Sequence, residues 1–105
     1  MAASKDVVIK DIKKYINELK KNGIPVQKTL LFGSWSKNSA SEDSDIDIAL
    51  ISDAFTGDRF QDRRKIVPLR RKINSRIEPI PFTVQTFEMG GNLVDEITRF
   101  GEEVR

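Results

Sequence analysis

Apolar residues return at helical spacing near the start of the chain, where Val8, Ile12, Tyr15, Ile16 and Leu19 fall on one side and lysines fill the other. The spacing predicts an amphipathic helix from Ser4 to Asn22, with Ser4 as its N-cap, Asp6 in the first turn, and Gly23 and Pro25 as the stop. The period then changes. Val26 to Phe32 ends in the triplet Leu30, Leu31, Phe32, too short for a helix and followed directly by Gly33, which predicts a strand. The polar stretch SWSKNSASEDS has no periodicity and reads as a loop with room for one helical turn. Asp45 to Ser52, DIDIALIS, alternates at first and then becomes continuously apolar, as a strand covered on both faces does.

After the turn-rich DAFTGD, a second helical stripe of Ile66, Leu69, Ile73 and Ile77 spans roughly Arg59 to Ser75, with Pro68 inside it. Either the helix kinks there, or Pro68 occupies its first turn with a separate short helix before it. Glu78 to Val84 predicts a third strand, and Pro79 and Pro81 assign it to an edge or to irregular pairing. Gly90 and Gly91 break the chain before a closing helix, Asn92 to Phe100, with Leu93, Ile97 and Phe100 as its apolar side. The order helix, strand, strand, helix, strand, helix predicts an α/β fold, a small mixed β-sheet flanked by helices. A chain of 105 residues is expected to form one domain, residues 1–105.

Composition narrows the chemistry. Hydrophobic residues make up 38% and charged residues 32%, no apolar run is long enough to span a membrane, and the start MAASKDVVIK lacks a secretory signal, so a cytoplasmic location is expected. With no cysteine and no histidine, disulfides, thiolate sites and the usual zinc chemistry are excluded. Any metal must be bound by oxygen, which suits magnesium, manganese or calcium, and Asp and Glu are left as the general bases. The net charge of +2 says little by itself. Much of the positive charge lies in Arg63, Arg64, Lys65, Arg70, Arg71, Lys72 and Arg76, which read either as the solvated side of a helix or as a patch that docks phosphate or an acidic partner.

Two pieces are wrong for a plain core: a Gly-Ser pair closing one strand and two aspartates opening the next. Residues i and i+2 of a strand share a face, so Asp45 and Asp47 project together while Ile46 and Ile48 face the other way. Their mutual repulsion is relieved by a divalent cation, since magnesium takes one or two carboxylates plus phosphate oxygens and water. An antiparallel turn between the two strands would bring Gly33 and Ser34 to the same sheet edge, where Gly33 permits close backbone approach and Ser34 can donate to phosphate. Lys37 adds a positive charge, and Ser44 is a further nucleotide contact or a cap on the second strand. Trp35 reads as a base-stacking loop aromatic or as a tucked anchor of the loop.

GSWSKNSASEDSDID, Gly-Ser, ten residues, then Asp-x-Asp, resembles the active-site motif of the DNA polymerase beta-like nucleotidyltransferases. In length and layout the chain is similar to the minimal nucleotidyltransferases found beside HEPN-domain partners in prokaryotes. The resemblance implies a third acidic residue on a later strand, and Glu78 stands in that place. It implies transfer of a nucleoside monophosphate, AMP from ATP, to an acceptor hydroxyl on a HEPN-type partner, with two magnesium ions held by Asp45, Asp47 and Glu78 and the phosphates oriented by Gly33 and Ser34. The alternative from another class is a non-catalytic, antitoxin-like subunit that neutralises a HEPN toxin by binding it. A nucleic-acid partner is disfavoured by the acidic loop around Glu42 and Asp43, and a homo- or hetero-oligomer is compatible with either reading. Where members of the family often carry Arg-Gly after Gly-Ser, this chain has Lys37-Asn38, and its third carboxylate is Glu where Asp is more usual.

Overall fold

The computed structural model describes residues 4–41 and 43–105; Met1 to Ala3 and Glu42, one of the acidic loop residues named above, lie outside the described residues. The first helix, α1 (Lys5–Lys21), begins where the sequence places it, with the Ser4 hydroxyl accepting from the Val7 amide. Its stripe of Val8, Ile12, Tyr15 and Leu19 is fully buried. Each such side chain contributes about 1.5–3 kcal/mol of apolar transfer free energy. The Tyr15 hydroxyl is satisfied by donating to the Ile66 carbonyl at 2.6 Å, so the helix carries its polar group into the core without penalty.

Strands β1 (Lys28–Phe32), β2 (Ile46–Ile51), β3 (Ile77–Phe82) and β4 (Glu102–Glu103) form one sheet in the order β3-β2-β1-β4. β1 runs antiparallel to β2 and β4, and β2 runs parallel to β3, which makes the sheet mixed as expected. The alternation along β2 sorts its residues into two cores. Ile46, Ile48 and Leu50 pack with Leu31, Ile77 and the stripe of α1; Ala49 and Ile51 pack on the other face with Leu30, Phe32, Phe82, Val94 and Ile97. β3 is an edge strand, where Pro79 and Pro81 need give up no ladder bond on the open side.

Of the two forms open to the second stripe the chain takes the split one: α2 (Arg59–Ile66) is the separate short helix, and Pro68 sits in the first turn of the 3-10 segment that follows, Val67–Lys72. Ile77 leaves that stripe for β3, because the chain turns at Asn74, whose carbonyl accepts from the Ile77 amide at 3.1 Å. The strand predicted to reach Val84 stops at Phe82, since Thr83 and Thr86 form a reciprocal capping box that starts α3 (Val84–Glu88). α4 (Asn92–Phe100) covers the second core, and the chain then returns as β4 beside β1. No described helix is long and apolar enough to cross a membrane.

Candidate active site

The antiparallel register places Phe32 opposite Asp47, and the parallel register places Asp47 opposite Glu78. Paired residues share a face, so Asp47 and Glu78 stand side by side on the face covered by α4, away from α1. The sequence motifs predict a site at a sheet edge. It lies instead at the ends of adjacent strands, with interior strand β2 in the middle, because the motifs close one strand and open the next.

Gly33 follows β1 with φ +73°, in the region glycine favours, and its face is pressed against Asp47. A Cβ there would lie 3.2 Å from Asp47 Cγ, with Oδ2 closer still. Glycine is therefore required twice, by its backbone angle and by the carboxylate. The chain continues as a 3-10 turn, Gly33–Trp35, closed when the Ser36 and Lys37 amides and the Ser36 hydroxyl donate to the Gly33 carbonyl. Ser34, in the middle of this turn, is half-buried, and its carbonyl accepts from the Ser39 amide at 3.0 Å. Trp35 is only 6% exposed and packs in the α1-side core, so it is the tucked anchor of the loop rather than a stacking platform. Ser44 closes the far end of the loop, its hydroxyl accepting from the Ser41 amide at 2.9 Å just before Asp45.

Burial raises the pKa of Asp47, and the carboxylates of Asp45, Glu78 and Glu96 raise it further. Each neighbour that shifts it is another acid, so the group is held against its own charge. Glu96, on α4, was not singled out in the sequence; only the folding of α4 over this face brings it near, and its position beside Ile97 carries no motif. It also receives Lys37, whose Nζ is 3.4 Å from Glu96 Oε1 and 4.8 Å from the centre of the Phe100 ring. Lys37 is thus next to the site but held by α4, in an exposed ion pair of small energetic weight.

Glu78 is counter-charged. Arg63 approaches its Oε2 at 3.2 Å and Arg70 its Oε1 at 2.9 Å, while Arg70 also donates to the Ile77 carbonyl at 2.6 Å. The segments carrying these arginines pack on the α1 face, and β3 is the edge strand, so the guanidinium groups reach past it to the opposite face. The split at Pro68 selects Arg63 and Arg70 as partners of Glu78 rather than Arg76 and Lys72, which are nearer in sequence. Arg63 is fixed from its N-terminal side. Asp58 caps α2, and the buried Asp62 accepts from the Thr56 amide and hydroxyl and the Gly57 amide, tying the preceding loop to the helix.

Among the described residues, no group of three acidic side chains is gathered closely enough to hold one ion. The donor set nonetheless fits a hard divalent cation in part. Asp45 and Asp47 offer oxygens that repel one another, and magnesium is ordinarily satisfied by one or two carboxylates with phosphate and water. Glu78 has its oxygens on arginine.

The family model described as nucleotidyltransferase domain matches residues 9–99. The fold is similar to that of a protein from Sulfolobus solfataricus assigned to the nucleotidyltransferases, with TM-score 0.65 and 16% identity over 94% of this chain and 80% of that one. It is also similar to a chain of a toxin-antitoxin structure with AMP-PNP, with TM-score 0.55 and 19% identity over 98% of this chain and 73% of that one. At such identities the likeness concerns the fold. No curated protein matches the sequence.

Proposed function

The chain belongs to the family of nucleotidyltransferase domains, and from that premise we propose that it transfers AMP from ATP to an acceptor hydroxyl on a partner protein. The observation that carries this reading is the contact of Gly33 with Asp47 beside Asp45 and Glu78, which joins a phosphate-binding turn to a repelling acidic cluster at one end of the sheet. Two magnesium ions, held by Asp45 and Asp47 with Glu78 joining one of them, would supply charge neutralisation at the triphosphate. The half-buried Ser34 hydroxyl and the amides of the 3-10 turn orient the phosphates, with Lys37 and Ser44 bordering the same loop. In the reaction the acceptor oxygen forms a bond to the α-phosphorus, the bond from that phosphorus to the pyrophosphate oxygen breaks, and a carboxylate of the cluster takes the hydroxyl proton.

The acceptor is assigned to a second chain because the domain devotes nearly all its secondary structure to the sheet and its two covers. The fold neighbour solved as a toxin-antitoxin with AMP-PNP supports both parts of the reading, an adenine nucleotide and a protein partner, for which a helical HEPN-type protein is our choice. A second reading is favoured by the arginines on Glu78: a chain whose third carboxylate is permanently neutralised would bind its partner without turnover.

Pyrophosphate release from ATP and magnesium, with mass spectrometry for an adenylyl group on a co-purified helical partner, separates the two. Transfer that disappears in Asp47→Asn supports the enzyme. Tight partner binding with no transfer by the wild type establishes the binding subunit in its place.

A further inference from the structure

Glu78 is one-third exposed, stands opposite Asp47 in the register, and yet has both carboxylate oxygens on guanidinium groups. Two charge-assisted bonds to one carboxylate are strong by the standards of partly exposed pairs, and one of the donors is itself tied to the backbone of β3 through the Ile77 carbonyl. The clamp is also braced from behind. The Tyr15 hydroxyl holds the Ile66 carbonyl at 2.6 Å, where α2 gives way to the 3-10 segment, and so sets the spacing between the helix that carries Arg63 and the turn that carries Arg70.

We infer that Arg63 and Arg70 are positioning residues that hold Glu78 out of the metal shell of the resting chain, so that the third carboxylate joins only when its arginines let go. The inference rests on the proposed function and deepens it. A carboxylate with each oxygen on a guanidinium group has part of its acceptor capacity and its charge already engaged, and a cation arriving beside Asp45 and Asp47 meets two positive charges close by. The clamp therefore weakens binding of metal alone. Arrival of a triphosphate changes the balance, because its oxygens offer the guanidinium groups another anion and complete the shell of the ion at the same time. Metal and nucleotide are thereby coupled through residues that need touch neither in the resting state.

The test measures Mn2+ binding to the full chain by calorimetry, first alone and then with the non-hydrolysable analogue AMP-PNP. Arg63→Gln is the main variant, because Arg70→Gln also removes the bond to the Ile77 carbonyl and puts the fold at risk. Arg63→Gln should bind Mn2+ alone about fivefold tighter or more, the range expected for coupled charges in contact. Removing any nearby positive charge would help a cation somewhat, so Arg64→Gln serves as the reference. Arg64 lies one residue along and is turned to the Phe60 ring. The gain in Arg63→Gln should exceed that in Arg64→Gln, and it should vanish when Glu78→Gln is also present. Equal gains in the two arginine variants, a gain that survives Glu78→Gln, or a loss of affinity in Arg63→Gln would each overturn the clamp. If the wild type binds Mn2+ in neither condition, the proposed function fails and the clamp fails with it; if the wild type binds Mn2+ with AMP-PNP but the arginine variant shows no specific gain, only the clamp is lost.

Discussion

Two aspartates lie in protected surroundings, and the chain treats them in opposite ways. Asp62 is 1% exposed and meets three donors from Thr56 and Gly57, so its charge is solvated by the protein itself. Asp47 is partly buried among Asp45, Glu78 and Glu96, and each of these neighbours makes its charge harder to keep. A buried carboxylate supplied with donors is a fastening; one supplied only with other acids stores repulsion that a cation can release. Burial by itself does not separate structure from function. The company of the carboxylate does.

The sharpest way to break this comparison is to remove the fastening. Asp62→Ala should cost about 3 kcal/mol, since three bonds to a charged acceptor are lost and the loop before α2 is released. For a domain of this size that is a fall in Tm on the order of 15 °C. Circular dichroism melts check it. A fall no larger than that of an exposed aspartate such as Asp53 would mean that the turn is held by something else.

Next in size is Gly33→Ala, which strains the backbone at φ +73° and drives a methyl group into Asp47. The expected loss is about 2 kcal/mol from the left-handed conformation and the displaced carboxylate together. Binding of metal with nucleotide should fall further than stability accounts for, because the same methyl group displaces the Asp47 carboxylate. Calorimetry with magnesium and AMP-PNP on the folded variant reads this. Unchanged affinity would detach Gly33 from the site.

The split between these regions explains what was legible in the sequence. α1 and α4 were readable from one-sided apolar periodicity, α1 also from its ends at Ser4 and Gly23, and β1 and β2 from short apolar runs bounded by polar and turn residues. Asp45 and Asp47 were readable as a pair because strand period is a local property. Glu78 could be placed on its strand, but its partners could not be named: Arg63 and Arg70 are selected by how the chain breaks at Pro68 and passes the edge of β3, which is tertiary information. Glu96 was hidden for the same reason, since only the packing of α4 carries it to Asp47. α3 was missed because its capping box uses Thr86 in the place where the common signature has Glu or Gln. β4 was missed because two residues are too few to show a period.

The smallest effect has the opposite sign to the others and bears most directly on the comparison. Asp47→Asn keeps the shape of the side chain and removes a charge that the folded state disfavours, so the metal-free variant should melt a few degrees above the wild type at neutral pH. The pH dependence follows from linkage. Because the folded pKa is raised above the ordinary 3.8, the folded chain holds the proton of Asp47 at pH values where the unfolded chain has already lost it. The stability contributed by this group is fully present below about 3.8, declines as pH rises through the raised folded pKa, and stays lost above it. The gap between variant and wild type should therefore be small in acid, open as pH climbs out of the ordinary carboxylate range, and level off near neutrality. Magnesium with nucleotide should then reverse its sign at neutral pH, because only the wild type gains a ligand that binds the folded state. Paired melts from acid to neutral pH, with and without magnesium and AMP-PNP, test each part. A gap that does not change with pH would show that Asn helps by packing alone, and a variant less stable than the wild type in the absence of metal would make Asp47 a fastening like Asp62.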